Sequence, residues 1–425
     1  MNGEEVGQLS VVALGQLQFS YSRTWRQSES GRSLSISLPL TAQAYRGAVV
    51  ESFFDNLLPD NEAVRARMQS RFGALSNRCF DLLWHAGRDC VGAIQLLPEA
   101  EPAPNIRKIE AHPLDDSAIA NILKNYKSVP LGMVREDDDF RISIAGAQEK
   151  TALLRHNGQW CRPVGATPTS HIIKLPIGTI GQMDLSDSVE NEWLCHMILK
   201  AYGIPVADAT MTKFDDAKAL VVTRFDRRLS SDGSWYIRLP QEDMCQALAV
   251  PSVFKYESEG GPGIKNVMEL LLASEKSEAD RYLFMKTQFL FWLLAAIDGH
   301  AKNFSIFLLP GDKYHLTPLY DVMSAHPMVN ANQIRMQRLK MAMAVSGKNR
   351  HYEWERINQH HWISTAQKNG FPRTSLLQIF EELLGGMHSA IEHVKNKIPA
   401  EFPLHIAESI FNGMIFAKEH FKSKM

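Results

Sequence analysis

The period of the apolar residues changes near Asp243, and this change limits the folds that the chain can adopt. Before that point, runs such as 171–175 have the composition of strands, and one amphipathic helix ends at Gly203. After it the pattern is mainly helical, with a long apolar helix that ends at Ile297. Strands first and helices later predict an α+β fold with two lobes. The N-terminal lobe is expected to be strand-rich and to include a small β-rich subdomain, and the C-terminal lobe to be all-helical.

The length of the chain predicts more than one packed part. Its 425 residues exceed what one ordinary hydrophobic core accommodates. A proline-rich stretch, 98–105, has the composition of a linker. We predict a β-rich subdomain over 1–100, in which 34–40 alternates as a half-buried strand does. The rest of the strand-rich lobe is expected over 101–245 and the helical lobe over 246–425.

Charge, cysteine usage and hydropathy exclude several classes of protein. Lys+Arg 46 against Asp+Glu 47 gives a net charge of -1, so no general basic surface for nucleic acid is expected. None of the five cysteines forms a CxxC pair, which fits reduced thiols in a cytosol better than a disulfide framework or a zinc site. Residues 1–8 contain no apolar signal-peptide run, and the apolar stretch 289–297 is far shorter than the roughly 20 residues that a bilayer requires. We therefore expect a cytoplasmic protein without a membrane segment.

The strongest functional signal is the run Asp298-Gly-His-Ala-Lys-Asn303, which is followed after a predicted hairpin by Asp321. Asp and Asn have this spacing in the catalytic loop of protein kinases, where the Asp accepts the substrate hydroxyl proton and the Asn binds a metal ion. Asp321 would hold Mg²⁺ at the phosphates of ATP, because a hard cation prefers oxygen ligands. His300 and Lys302 would neutralise charge on the γ-phosphate. Alternatively, Asp298 only ends a helix and Asn303 only starts a strand, but the ordered set favours phosphoryl transfer.

Lys174 is a lysine in an otherwise apolar predicted strand. Such a lysine either extends its amine to solvent or pairs with an anion. In a kinase, the corresponding lysine holds the α- and β-phosphates and pairs with a Glu of the next helix. The next predicted helix offers Glu190 and Glu192. We favour Glu192, because it directly precedes the apolar pair Trp193-Leu194.

The small-residue turn that ends at Lys150 is a weaker signal for a phosphate site. It lies between two strand-like runs, and its backbone N–H groups would be able to approach phosphates while Lys150 adds positive charge. The turn matches neither G-x-G-x-x-G nor a Walker A loop. A plain hairpin is the alternative interpretation.

The run Val222-Thr-Arg-Phe-Asp226 closes the strand-rich part, where a two-lobed kinase has its hinge. Backbone groups of Thr223 and Phe225 would be able to bind the adenine edge. Arg224 and the charged residues after it are equally compatible with a solvated turn. Tyr320, beside the predicted metal ligand, either packs against the nucleotide or belongs to the core.

These motifs, in this order, resemble the HipA family of bacterial kinase toxins from type II toxin–antitoxin systems. The resemblance covers nearly the whole chain. The runs that carry it are Phe53-Phe-Asp-Asn-Leu-Leu-Pro-Asp60, Phe140-Arg-Ile-Ser-Ile-Ala-Gly-Ala-Gln-Glu-Lys150, His171-Ile-Ile-Lys-Leu-Pro176, Arg238-Leu-Pro-Gln-Glu-Asp-Met-Cys245, Lys255-Tyr-Glu-Ser-Glu-Gly-Gly-Pro-Gly263 and Asp298-Gly-His-Ala-Lys-Asn-Phe-Ser305.

The resemblance implies a protein-kinase-like fold and an ATP- and Mg²⁺-dependent serine/threonine kinase. Asp298 would be its catalytic residue, and Asn303 and Asp321 its metal ligands. The ATP-binding residues that it implies are Ala145, Gly146, Ala147, Gln148, Glu149, Lys150, Lys174, Thr223, Arg224, Phe225, His300, Ala301, Lys302, Asn303, Tyr320 and Asp321. Autophosphorylation is implied at the serine before the phosphate-binding turn, Ser143.

The family resemblance also implies partners. These are a dimeric helix-turn-helix antitoxin of the HipB type, which carries most of the contact with operator DNA, and glutamate–tRNA ligase as the usual substrate. Phosphorylation of that ligase would stop tRNA charging, which arrests growth and produces persistence.

Two departures and two alternatives accompany the resemblance. Thr223 stands where close relatives often have Glu, a change that a backbone contact tolerates. The late helical region carries only scattered cations such as Lys368 and Arg373, so direct DNA contact by this chain is not expected.

A catalytically silent co-repressor subunit is one alternative function, against which Asp298, Asn303 and Asp321 argue. A small-molecule kinase on the same scaffold is the other.

Overall fold

The computed structural model describes residues 1–99, 101, 104–128 and 150–423. Two compact units are present. The first consists of Met1–Leu175, Thr212–Val253 and Ile306–Tyr314, and the second of Pro176–Met211, Phe254–Ser305 and His315–Met425. Helices and strands both contribute substantially, which confirms the predicted α+β class. The three parts predicted over 1–100, 101–245 and 246–425 stay a prediction.

Strands and helices are numbered here in chain order. The strands are β1 (Gly7–Val11), β2 (Leu17–Tyr21), β3 (Tyr45–Arg46), β4 (Ala111–Leu114), β5 (Lys150–His156), β6 (Gln159–Pro163), β7 (His171–Lys174), β8 (Gly178–Ile180), β9 (Met183–Leu185), β10 (Ala209–Phe214), β11 (Ala217–Thr223), β12 (Arg227–Leu229), β13 (Tyr236–Arg238), β14 (Gln241–Asp243), β15 (Ser305–Leu308), β16 (Tyr314–Leu316), β17 (Lys340–Ser346) and β18 (Arg350–Glu353). The helices are α1 (Arg23–Gln27), α2 (Ala48–Asp55), α3 (Glu62–Phe72), α4 (Cys79–Ala86), α5 (Asp116–Ser128), α6 (Ser188–Ala201), α7 (Met244–Ala247), α8 (Ile264–Leu270), α9 (Ser277–Leu293), α10 (His326–Asn330), α11 (Gln359–Lys368), α12 (Arg373–Phe380), α13 (Met387–Lys395) and α14 (Leu404–Ser423).

The largest sheet of the described residues has the strand order β10-β11-β7-β5-β6-β4. Its central strand β7 pairs antiparallel with β5 on one side and with β11 on the other, and Lys174 lies directly opposite Lys150. Helix α5 contributes Ile119 to the apolar cluster of this sheet, together with Leu153 and Ile173. The apolar cluster thus supports the strand that carries Lys174.

The first hundred residues contain more helix than strand, so the predicted β-rich character of 1–100 is wrong. They hold the short strands β1 to β3 and the helices α1 to α4, and the prediction of a strand over 34–40 is wrong. The apolar residues of that segment are buried, as Leu34 and Leu38 show, but side chains satisfy its backbone instead of a strand partner. The Tyr21 hydroxyl accepts the Leu34 N–H at 2.6 Å and donates to the Leu38 carbonyl. The apolar residues alternate here without a β-ladder, and their burial does not alternate, since Ser35 is buried and Ile36 is half-buried.

Helix α9 forms the centre of the second unit. Trp292 at its end and Trp354 exchange indole N–H to carbonyl hydrogen bonds of 3.1 and 2.6 Å, and both rings are fully buried. The helix ends at Leu293 rather than at Ile297, because Ala295 adopts a left-handed conformation with a φ of 48°. The region after Asp243 is mainly helical, but the prediction that the C-terminal lobe is all-helical is wrong, because this region includes the two-stranded hairpin β17–β18.

A buried carboxyl group joins two segments of the first unit. Glu242 is 0% exposed, and its carboxyl group accepts hydrogen bonds from the Ser35 hydroxyl and, at 2.8 Å, from the Ile36 N–H. Burial raises the pKa of Glu242 to about 8, although both hydrogen bonds lower it. As the pH rises from the ordinary value of 4.5 to about 8, the folded protein retains a proton that the unfolded chain releases. The free energy of unfolding therefore falls over this interval.

We predict that Glu242→Gln removes this pH dependence, because the amide is neutral at every pH. The melting temperature of the variant should exceed that of the wild-type protein by a few degrees at about pH 9, and by much less at about pH 5. Differential scanning calorimetry of both proteins at the two pH values measures the difference. An equal offset at both pH values would contradict a protonated Glu242 in the folded state.

Candidate active site

Asn303 connects the two predicted acidic residues of the second unit. It is 6% exposed, and its side-chain nitrogen donates to the backbone carbonyls of Asp298 at 2.9 Å and Asp321 at 3.4 Å. Because the amide nitrogen faces these carbonyls, the amide oxygen is the atom that can serve as a metal ligand. The structure thus brings together the three residues that the sequence analysis singled out as base and metal ligands.

The backbone of Asp321 is held in an unfavourable conformation. Its φ of 60° lies in the left-handed region, which residues other than glycine rarely adopt. Two backbone hydrogen bonds hold Leu319, which lies two residues before Asp321. Its N–H donates to the Pro205 carbonyl at 2.9 Å, and its carbonyl accepts the Ala207 N–H at 2.8 Å. Strained residues that are held by their surroundings occur often at functional sites. The strain at Asp321 therefore supports a role for its carboxylate.

Tyr320 supports the loop that carries the acidic residues. Its hydroxyl donates to the Lys302 carbonyl at 2.8 Å and also contacts the Ser305 hydroxyl. The hydroxyl thus has a structural task, and the ring is half-buried. Packing of Tyr320 against a nucleotide stays a prediction.

Tyr256 contacts Asp298 and was missed by the sequence analysis. Its hydroxyl donates to Oδ1 of Asp298, and its ring lies edge-on against His300 with the centroids 5.0 Å apart. The Lys255 carbonyl accepts the Ala301 N–H at 3.3 Å, so the same segment also contacts the loop backbone. A signal was present in the sequence, because Tyr256 belongs to the Lys255-to-Gly263 run that contributed to the family resemblance.

The remaining residues of the 298–303 loop are enclosed by the second unit. His300 is 5% exposed, and its Nε2 lies 3.9 Å from Oδ1 of Asp298. Lys302 is 6% exposed. In contrast, 56% of the Asp298 side chain is exposed, as a base that receives a proton from a substrate requires.

Two lysines of the first unit lie side by side on neighbouring strands. Lys174 is 4% exposed, and Lys150 pairs with it directly across β5 and β7. Two side chains in such a pair lie on the same face of the sheet, and like charges there destabilise it. Binding of ATP phosphates by Lys150 and Lys174 stays a prediction.

The Arg224 side chain lies inside the first unit. Together with Asp89, Asp226, Arg227 and Arg238 it forms a buried ion cluster. The two aspartates keep their charge, because the surrounding guanidinium groups lower the pKa of both below the usual range against the effect of burial. The solvated turn considered for this region is thus wrong for Arg224, and its side chain is committed to the interior rather than to ATP.

The backbone beside Arg224 is partly used as well. The Arg224 N–H donates to the Ser170 carbonyl at 2.9 Å. Thr223 is exposed, and Phe225 is half-buried with its ring edge-on against Phe307 at 5.7 Å. Their backbone groups stay the predicted adenine contacts.

The pairing of Lys174 with a glutamate and the predicted phosphate-binding turn are not tested by the contacts described here. Glu192 is 2% exposed and lies 3.7 Å from the His196 ring in the second unit, whereas Lys174 belongs to the first. Their pairing, and the choice of Glu192 over Glu190, which is also buried at 7% exposure, stay predictions. The residues that lie outside the described part of the chain are Ser143, Ala145, Gly146, Ala147, Gln148 and Glu149.

Comparison with known proteins shows the family. A model of the HipA-like C-terminal domain matches residues 142–391, and a model of the HipA N-terminal domain matches residues 1–97. A relative from Sinorhizobium fredii, "Putative kinase Y4mE", is 36% identical over 330 residues, which cover 76% of each chain. The serine/threonine-protein kinase toxin HipA of Shewanella oneidensis is 26% identical over 401 residues, which cover 92% of this chain and 87% of that protein.

A solved structure has the same fold. It is the complex of the Shewanella oneidensis toxin–antitoxin proteins HipA and HipB with their operator DNA. The match has a TM-score of 0.80 at 23% sequence identity, and it covers 98% of this chain and 95% of that chain. The family-model matches, the identity to Y4mE and this fold agree with one another. The chain therefore belongs to the HipA-like family of kinases.

Proposed function

We propose that this chain is an ATP- and Mg²⁺-dependent serine/threonine protein kinase and a growth-arrest toxin. The observation that carries the proposal is the position of Asn303, whose amide nitrogen binds the carbonyls of Asp298 and Asp321. This arrangement supports the proposed roles of Asp298 as the proton acceptor and of Asn303 and Asp321 as metal ligands. Phosphoryl transfer requires both groups at the phosphate that is transferred.

The donor set fits Mg²⁺. Among the described residues, no cluster of three or more His, Cys, Asp or Glu side chains is able to hold a metal ion. Mg²⁺ binds through one or two carboxylates together with substrate phosphates and water, so the Asn303 amide oxygen and the Asp321 carboxylate are sufficient with ATP. Bound Mg²⁺ supplies charge neutralisation at the phosphates. Lys150 and Lys174 are the proposed cationic ligands of the phosphates.

In the proposed reaction, the acceptor oxygen forms a bond to the γ-phosphorus while the bond from phosphorus to the β,γ-bridging oxygen breaks, and ADP leaves. Asp298 accepts the proton of the acceptor hydroxyl. Tyr256 donates to Oδ1 of Asp298, which directs Oδ2 to the acceptor. Lys302 adds positive charge to the same loop, and His300 would add charge when protonated.

The partners are proposed from the family. We propose that a helix-turn-helix antitoxin of the HipB type binds this chain and supplies most of the contact with operator DNA, in line with the Shewanella oneidensis complex. The proposed substrate is glutamate–tRNA ligase, and the proposed location is the bacterial cytoplasm. Among the described residues, none of the helices has the length and apolar character needed to cross a membrane.

We predict that Asp298→Asn keeps ATP binding but lowers phosphate transfer by about 10²-fold or more, since the base is lost. Asp321→Ala should instead lose the Mg²⁺-dependent part of the affinity for ATP. Transfer from labelled ATP and calorimetric ATP titration with and without Mg²⁺ measure the two effects. Asp208→Asn, at an exposed aspartate that pairs with Lys200, is the matched control. A parental transfer rate in Asp298→Asn would rule out this base.

We predict that Tyr256→Phe lowers kcat about tenfold and leaves the KM for ATP unchanged. The expected size follows from the loss of one hydrogen bond to a charged group. Tyr256→Leu should lower kcat further, because the ring against His300 is lost too. The control is Tyr236→Phe, which loses an exposed hydroxyl that donates to the Arg155 carbonyl. If Tyr256→Phe raised only the KM for ATP, Tyr256 would not position the base.

We predict that Ser143 becomes phosphorylated by the chain itself and that this phosphate stops ATP binding. A phosphoserine adds roughly −1.5 to −2 charges, which repel the phosphates of ATP. Mass spectrometry of the wild-type protein and of Asp298→Asn should find the phosphate in the first protein only. Phosphate on Ser143 in both would identify another kinase as its source, and phosphorylated protein that still binds ATP would contradict the inhibition.

A further inference from the structure

The second unit contains a cavity of about 510 Å³ that Asp298 lines. Of the lining residues, the proposed reaction uses Asp298 and Tyr256 and leaves the rest without a role. A cavity of this size accommodates several side chains of a ligand. Because the proposed base faces it, the cavity is a candidate site for the group that receives the phosphate.

Sulfur-containing and aliphatic side chains provide most of the apolar lining. They include Met323, Met328 and Met341, together with Ile297 and Ile406. Methionine side chains are flexible and polarisable, so they adapt to apolar groups of different shape. Such a lining favours an aliphatic side chain as part of the ligand.

The charged residues of the lining are mostly acidic. Asp184, Asp187 and Glu259 line the cavity in addition to Asp298, whereas the lysine of the lining is the exposed Lys340. These carboxylates favour a cationic ligand and disfavour a phosphorylated or carboxylated small molecule.

Two of the acidic residues have fixed partners. The Ser186 hydroxyl and N–H hold the pKa of Asp184 below its ordinary value, so this carboxylate is charged at neutral pH. Asp187 lies 3.0 Å from the His405 imidazole, which offsets part of its charge. The partners of Asp184 are neutral groups, whereas Asp187 faces an imidazole. We therefore expect Asp184 and Glu259 to attract a cationic ligand most strongly.

The cavity wall is preformed. Asn191 of α6 donates from Nδ2 to the Ser324 carbonyl and accepts the Ser324 N–H at Oδ1, both at 2.8 Å. The Asp184 N–H donates to the Gln333 side chain at 3.1 Å. These bonds connect α6 and the β8–β9 hairpin to the 323–333 segment. A ligand therefore does not have to order the wall when it binds.

We propose that this cavity binds the acceptor segment of a protein substrate, with an aliphatic residue and a lysine or arginine close to the serine or threonine that is phosphorylated. The apolar lining, the excess of carboxylates and the proposed base together require three different groups on one ligand. A short stretch of polypeptide supplies them on neighbouring residues. The proposal rests on the proposed kinase function.

The test compares synthetic serine peptides of equal length as acceptors for labelled ATP. One peptide contains leucine and lysine around the serine, a second contains leucine and glutamate, and a third contains alanine and lysine. The wild-type protein should phosphorylate the first with a kcat/KM about tenfold above each of the others, the size of a few modest surface interactions. Asp184→Lys/Glu259→Lys should abolish or reverse the preference for lysine over glutamate.

The matched control is Glu392→Lys/Glu419→Lys, which changes the net charge equally at exposed positions of α13 and α14 outside the cavity. It should retain the wild-type preference. Equal rates on all three peptides, an unchanged preference in Asp184→Lys/Glu259→Lys, or a lost preference in the control would overturn the proposed acceptor site. The acceptor site would also be overturned if the wild-type protein bound and hydrolysed ATP–Mg²⁺ but phosphorylated no peptide. In that case the proposed phosphoryl transfer would not be contradicted. Absence of Mg²⁺-dependent ATP binding by calorimetry would instead refute the kinase proposal, and the acceptor site with it.

Discussion

The arrangement of the candidate active site depends on the Asn303 side chain. A single amide nitrogen holds the backbone carbonyls of Asp298 and Asp321, which are separated in the chain by the β15–β16 hairpin. Both acceptors are backbone atoms, so Asn303 does not occupy either carboxylate. Asn303 itself is buried, which places these hydrogen bonds in an environment where they are strong. An aspartate here would lose both donors, and its charge would be repelled by the carbonyl oxygens.

The first unit contains a buried ion cluster in which positive charges outnumber negative charges. Its buried cluster contains Arg224, Arg227 and Arg238 but, among the described residues, only Asp89 and Asp226 as carboxylate partners. Backbone carbonyls offset part of the excess, because Cys90 accepts from two of the guanidinium groups at 2.9 and 2.7 Å. Removing one aspartate would leave several buried cations without sufficient partners, which is strongly destabilising. The cluster thus fixes the end of strand β11, where the predicted adenine contacts lie.

The sequence predicted the parts of the site that are local. The spacing of Asp298 and Asn303, the order of Asp321 after a hairpin and the lysine in β7 are visible as short patterns. The structure places Asp298, Asn303 and Asp321 together. The burial of Arg224 was not predictable in this way, because its partner Asp89 is 135 residues away. Strand β17 was missed for a related reason, since nearly all of its residues are buried and the alternation typical of a half-buried strand is absent. Long-range pairing, not local propensity, determines these features.

The segment 255–263 shows how a loop with little regular structure determines the site. Tyr256 reaches Asp298 across 42 residues, while Glu257 accepts the Ala344 N–H of β17 at 2.6 Å. The chain folds back closely at this point. A Cβ atom at Gly261 would lie 1.9 Å from the Phe254 carbonyl oxygen, and one at Gly263 would lie 2.2 Å from the Glu257 carboxyl carbon. A side chain at Gly261 would displace the loop backbone, and one at Gly263 would displace the Glu257 carboxyl group. Since Ser258 and Glu259 also line the cavity, these two glycines determine the position of the tyrosine at the base and of the acidic wall of the proposed acceptor site.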